Sequence, residues 1–151
     1  MAEFDDGPHA EIRSDDGESQ LAIVSYGYAY PGDLGGWDAD WHVNRLTCRV
    51  PGFRSEIRET MVLGSELEQH WREMQEFDAL ARATVAFEPL EPYYQLGFRL
   101  TSQKKVLVQG WIQYPAGWGS QLEFEFETNL TYVAEYIRGL NHILRTYPVR
   151  R

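Results

Sequence analysis

Residues 63–100 read LGSELEQHWREMQEFDALARATVAFEPLEPYYQLGFRL, and three different local signals follow one another there. Ser65 precedes Glu68 by three positions, the spacing of a capping box, in which a hydroxyl and a carboxylate satisfy backbone N–H groups at a helix start. Leu67, Trp71, Met74 and Phe77 then recur at helical spacing, with Leu80 and Ala81 extending the stripe, so a helix is expected over 65–81. Arg82 to Phe87 is rich in small and β-branched residues and reads as a strand. Pro89 and Pro92 forbid a helix at 87–92, since each lacks a backbone N–H and restricts the residue before it. From Tyr94 to Thr101 apolar and polar residues alternate, the pattern of a half-buried strand. A helix laid on antiparallel strands satisfies all three signals.

Outward from this stretch the same two periodicities recur. On the N-terminal side, Glu11–Arg13 and Gln20–Tyr30 read as strands joined by a turn at Asp15-Asp16-Gly17. Pro31 to Gly36 is a loop, and Trp41–Val50 and Phe53–Val62 form a hairpin around Pro51-Gly52, with Phe53, Ile57 and Met61 facing inward. On the C-terminal side, Tyr93–Thr101 pairs with Val106–Tyr114. A loop at Pro115–Gly119 then leads into Gln121–Thr128, where Leu122, Phe124 and Phe126 alternate with Glu123, Glu125 and Glu127. Thr128 or Asn129 caps a second helix over 129–146, with Leu130, Val133, Tyr136, Ile137, Leu140, Ile143 and Leu144 on its apolar stripe. Gly139 in that helix marks a close approach to the sheet. The expected fold is α+β: an antiparallel sheet of about seven strands with two helices packed on it. Residues 1–10 lack a periodic pattern and are expected to form a flexible acidic tail, leaving 11–151 as one domain. No sequence repeat is visible.

The whole-chain numbers restrict the functional classes. With 151 residues, 43% of them hydrophobic, the chain has enough apolar material for one substantial core. No apolar run approaches the roughly 20 residues that span a bilayer. The acidic start lacks the apolar segment of a secretory signal, and Cys48 has no second cysteine to pair with, so a cytoplasmic protein is expected. The net charge of −9 is concentrated in residues 1–40, which hold ten acids against Arg13 alone, while the remaining 13 acids are matched by 13 lysines and arginines. Such a field repels the phosphate backbone, so direct nucleic-acid binding is not expected, and it attracts basic partners.

No catalytic constellation emerges. His9, His42, His70 and His142 are scattered without metal-ligand spacing, and Cys48 is alone, so neither a metal nor a cofactor is expected. Gly117-Trp118-Gly119-Ser120 lacks the spacing of a nucleophile elbow, and Cys48 sits in a strand pattern that suits burial. Asp38 and Asp40 form a weak beginning of a cation site, and Glu123, Glu125 and Glu127 read first as the solvated face of a strand, with Arg45, Arg49, Arg54, Arg58 and Arg99 as candidate cross-strand partners. Trp37 and Trp118 lie in loops, where an exposed aromatic marks a contact surface. The chain reads as a binding protein and not as an enzyme. The residues expected to face a partner are Asp33, Trp37, Asp38 and Asp40, together with Trp118 and with Glu123, Glu125 and Glu127.

Five segments in order resemble one family. Trp37-Asp38-Ala39-Asp40-Trp41, Leu63-Gly64-Ser65-Glu66-Leu67, Phe87-Glu88-Pro89-Leu90-Glu91-Pro92, Phe124-Glu125-Phe126-Glu127-Thr128 and Tyr147-Pro148-Val149-Arg150 are similar to the WapI family of bacterial immunity proteins, from Glu11 to Arg150. The resemblance implies a cytoplasmic protein that binds the C-terminal toxic domain of a cognate polymorphic toxin, in the family's namesake a nuclease acting on tRNA, and so protects the producing cell. The alternative is a non-catalytic, self-associating accessory module, for which exposed aromatics and an uncovered sheet face would serve a homo-oligomer.

Overall fold

The computed structural model describes residues 6–151. Its elements in order are β1 (His9–Arg13), β2 (Gln20–Tyr28), a 3-10 turn (Trp37–Asp40), β3 (Trp41–Val50), β4 (Phe53–Leu63), α1 (Gly64–Asp78), β5 (Thr84–Phe87), β6 (Tyr94–Leu100), β7 (Val106–Tyr114), β8 (Ser120–Thr128) and α2 (Leu130–Thr146). The fold is α+β with two helices, and its eight described strands are divided between two antiparallel sheets. One has the order β1-β2-β3-β4 and the other β5-β6-β7-β8. The chain thus runs through the same ββββα path twice, although no sequence repeat accompanies it. The flexible tail expected over 1–10 falls for residues 1–5 outside the described residues, while β1 takes in His9 and Ala10.

Each sheet is a meander, in which consecutive strands are antiparallel neighbours; the turns are short except between β2 and β3, where residues 29–40 and their 3-10 turn intervene. Gly17 (φ +75°) and Gly52 (φ +84°) supply the left-handed positions in the β1–β2 and β3–β4 turns. The inner rows of both sheets and the buried stripes of both helices form one continuous core, in which Ile12, Leu46 and Met61 from the first sheet meet Leu96, Phe98 and Val108 from the second. Phe53, expected to face inward, is instead 65% exposed, because it is the first residue after the Gly52 turn. Ile57 and Met61 of the same strand are buried as expected.

The helices are close to their expected spans. In α2 the Asn129 side chain accepts from the Tyr132 N–H at 2.9 Å, and a Cβ on Gly139 would stand 2.5 Å from the His9 carbonyl oxygen, so the helix lies directly on β1 there. In α1 the buried stripe is Leu67, His70, Met74 and Phe77, so His70 occupies the core position expected for Trp71, which is half-buried. The helix stops three residues early. Leu80 adopts φ +62° just beyond it, and the Ala81 N–H bonds back to the Glu76 carbonyl at 2.8 Å, the closing bond of a Schellman motif.

Candidate functional site

Seven of the eight residues expected to face a partner are exposed, and Asp40 is the exception at 4%. Asp33, Trp37 and Asp38 lie on the β2–β3 connection, with Trp37 68% exposed. The 3-10 turn that carries Trp37 and Asp38 outward rotates Asp40 inward, onto the start of α1. Its Oδ2 accepts from the Ser65 N–H at 2.7 Å and its Oδ1 from the Arg150 N–H at 2.9 Å. The expected Ser65–Glu68 capping box is therefore replaced. Glu66, two positions earlier, accepts from the Leu63 N–H at 2.9 Å, and the carboxylate of Asp40 satisfies the next orphan donor.

The C-terminal segment crosses the same region. Tyr28 donates its hydroxyl hydrogen to the Pro148 carbonyl. The Arg150 guanidinium lies 3.5 Å from the Tyr28 ring centroid and donates to the Asp33 carbonyl at 2.7 Å, and Arg151 pairs with Glu68 at 2.7 Å. Trp37, Asp40, Ser65, Arg150 and Arg151 line a small cavity of about 260 Å³. Two arginines from the far end of the chain thus stand beside the loop that reads as acidic in the sequence, one on the Asp33 main-chain carbonyl and the other on Glu68 of α1.

Beneath Asp40 lies a polar group that no spacing in the sequence announces. His42 Nδ1 and Ser25 Oγ are 2.8 Å apart, both residues are fully buried, and His42 Nε2 has no hydrogen-bond partner. A Cβ on Gly64 would stand 2.6 Å from Asp40 Oδ1 and 3.2 Å from His42 Nε2, so aspartate and histidine converge on the first residue of α1, with Ser25 behind the imidazole at Nδ1. Their identities are those of a hydrolytic triad, but their arrangement is not. The aspartate oxygens are taken by backbone donors, the serine hydroxyl has no access to solvent, and burial holds the His42 imidazole down at about 4, against a smaller opposing pull from Asp40. A base of that strength is neutral and weak near pH 7. The group works as a buried joint between β2, β3 and α1.

Glu123, Glu125 and Glu127 project from β8 on the outer face of the second sheet, as the alternation predicts. Cross-strand register places Ala86, Gly97, Gln109 and Glu125 in one row and Gln95, Trp111 and Glu123 in the next. Trp111 donates its indole N–H to the Gln95 side-chain oxygen at 2.8 Å, which fixes both side chains. Since Ala86 and Gly97 present almost no side chain, the face sinks on the β5–β6 side of Trp111 and Gln109 into a trough of about 580 Å³, with Glu123 and Glu125 along its far side. Arg45, Arg49, Arg54 and Arg58 belong to the other sheet and lie outside this face, while Arg99 stands in the row that ends at Glu127. A trough that is carboxylate at one side, amide along its floor and aromatic at its middle suits a cationic side chain.

Trp118, 79% exposed, stands in the β7–β8 hairpin loop. Cys48 is buried in β3, and burial pushes its thiol up to about 11. Among the described residues no three His, Cys, Asp or Glu side chains are grouped to hold a metal ion, and no helix is long and apolar enough to cross a membrane.

A model of the immunity protein WapI-like family matches residues 11–148. No curated protein matches the sequence. Among solved structures, a chain from the crystal structures of Trypanosoma bruciei MRP1/MRP2 is similar in fold, with a TM-score of 0.50 and 10% sequence identity over 93% of this chain and 85% of that one. At that identity the likeness concerns the path of the chain alone.

Proposed function

We propose, since this chain belongs to the immunity protein WapI-like family, that it binds and neutralises the C-terminal toxic domain of a cognate polymorphic toxin in the cytoplasm, through the outer face of its second sheet. The observation that carries the choice of surface is the trough bordered by Glu123 and Glu125 around Trp111, because it joins fixed negative charge to a half-exposed indole. A toxin that cleaves tRNA must present a basic groove to its substrate, and an acidic face competes for that groove while raising the encounter rate. Asp33, Trp37 and Asp38 form a second contact region beside the C-terminal arginines, and Trp118 an aromatic anchor at the end of the sheet. Asp40 acts from beneath by holding the turn that displays Trp37 and Asp38.

The test is co-expression of this protein with the C-terminal domain of a large secreted toxin encoded directly upstream, followed by affinity capture at low and moderate salt. Growth protection and a complex that weakens as salt rises are expected. Glu123→Lys with Glu125→Lys should slow association several-fold at low salt, since rim charges act mainly on the encounter rate. Absence of protection, together with a concentration-independent homodimer, would replace this reading with the self-associating module.

A further inference from the structure

The first strand of the second sheet offers a backbone as well as a charged face. β5 pairs with β6 alone and is therefore an edge. Leu100 donates its N–H to the Ala83 carbonyl at 2.9 Å. Bonded and non-bonded pairs alternate along an antiparallel ladder, so the pairs Val85/Phe98 and Phe87/Leu96 are the bonded ones. The N–H and C=O groups of Thr84 and Ala86 consequently turn away from β6, towards the open edge.

Beyond that edge lies a cavity of about 510 Å³ between α1 and β5, bordered by Glu66, Gln69, Glu73 and Glu88. Its floor is His70, 1% exposed and stacked on the Phe87 ring with centroids 4.4 Å apart. His70 Nε2 and the Tyr136 hydroxyl are 2.8 Å apart, while Nδ1 has no hydrogen-bond partner. Both oxygens of Glu66 are used, on the N–H groups of Leu63 and Leu90. Glu73 accepts from Gln69 and has Arg82 at 3.7 Å, and Glu88 accepts from Gln95 on one oxygen. Glu88 and Glu73 therefore retain acceptor capacity towards the cavity. Ala86 borders both this cavity and the trough on the outer face, so the two adjoin at β5.

We propose that an extended, basic segment of the partner protein adds to β5 as a fifth strand of this sheet, bonding to Thr84 and Ala86. Side chains of a strand alternate between faces. One set enters the groove beside α1, where a lysine or arginine meets Glu73 and Glu88 above the unpartnered His70 Nδ1. The other set lies over Ala86 and Gly97 towards Glu125. The remaining edges suit such a segment less: α2 lies on β1, the Asp15 N–H bonds to the Glu127 carbonyl at the end of β8, and β4 carries Arg54 and Arg58. The identity of the partner as a toxin domain rests on the function proposed above, whereas the mode of addition rests on the β5 edge.

The test uses the full chain, isotopically labelled for amide NMR, and the peptide acetyl-Arg-Val-Arg-Val-Arg-Val-amide, with the same peptide carrying glutamate for arginine as control. Saturable shifts and slowed hydrogen exchange are expected at Thr84 and Ala86, with shifts along the α1 residues that border the groove. The double variant Glu73→Gln, Glu88→Gln should weaken binding about tenfold, and Ala86→Pro, which removes an edge N–H, should abolish the pairing. If Ala86→Pro fails to fold, the double variant carries the test by itself. Equal binding of the acidic peptide, shifts at another edge, or no response at millimolar peptide would overturn the proposal. Growth protection in the co-expression assay without peptide pairing would overturn strand addition and leave the immunity reading standing.

Discussion

Asp40 provides a test in which two neighbouring aspartates behave oppositely. Its carboxylate is 4% exposed and accepts from the Ser65 N–H at the start of α1 and the Arg150 N–H of the C-terminal segment. Loss of the bond to Ser65 resembles loss of a helix cap, about 1–2 kcal/mol. Hydrogen bonds to a charged group contribute about 1.5–3 kcal/mol each. The bond to Arg150 belongs at the low end, because that segment is partly exposed and water replaces the acceptor. Asp40→Ala should therefore cost about 3 kcal/mol, which in a chain of this length lowers Tm by about 6–12 °C. Asp38→Ala, on the exposed side of the same turn, should stay within about 0.5 kcal/mol of wild type. Urea denaturation of both variants, with a scanning calorimetry run, measures the difference. Gly64→Ala sharpens the test, because its new Cβ would stand 2.6 Å from Asp40 Oδ1. It should destabilise the wild-type background and cost distinctly less when Asp40 is already alanine, since the two sites share one contact. A loss below about 1 kcal/mol for Asp40→Ala, equal losses for both aspartates, or strict additivity with Gly64→Ala would refute the assignment of Asp40 as a remote cap.

Burial holds His42 at about 4 and His70 at about 3. The unfolded chain therefore takes up protons first as pH falls, its imidazoles titrating near about 6.5. The stability they contribute is complete above that value and is lost towards pH 4, amounting to about 2 kcal/mol per histidine at pH 5. His70→Phe should roughly halve that loss between pH 7 and 5, and a flat wild-type stability across this range in urea titrations would contradict the burial of both rings. A Cβ on Gly97 meets nothing closer than 3.6 Å. Gly97→Lys should thus fold normally while placing a cation in the trough, and retained capture of the toxin domain would exclude the trough as its site. Leu80 sits at φ +62° and is 55% exposed. Leu80→Gly should raise stability by about 0.5–1 kcal/mol, the left-handed strain of a branched residue less its lost contacts, as read from the urea midpoint.

Local order in this protein was legible to the extent that it is periodic. The stripe Leu67, Met74, Phe77 and the stripe Val133, Tyr136, Leu140, Ile143 determined two helices, and the alternation through Leu122 to Glu127 determined which glutamates face solvent. The Asn129 cap, the tight Gly139 contact and the exposure of Trp37 and Trp118 follow from residue type and immediate neighbours. Only the tertiary structure decided that the strands divide into two sheets after β4, because hairpin periodicity says how a strand faces and not which sheet it joins. It also decided that Asp40 turns inward to cap a helix 25 positions later, that Arg150 and Arg151 return to the acidic loop, and that His70 replaces Trp71 in the core. Each of these depends on contacts between residues far apart along the chain. Their free energies are set by burial and by donors left unsatisfied elsewhere, and no window of neighbouring residues contains that information.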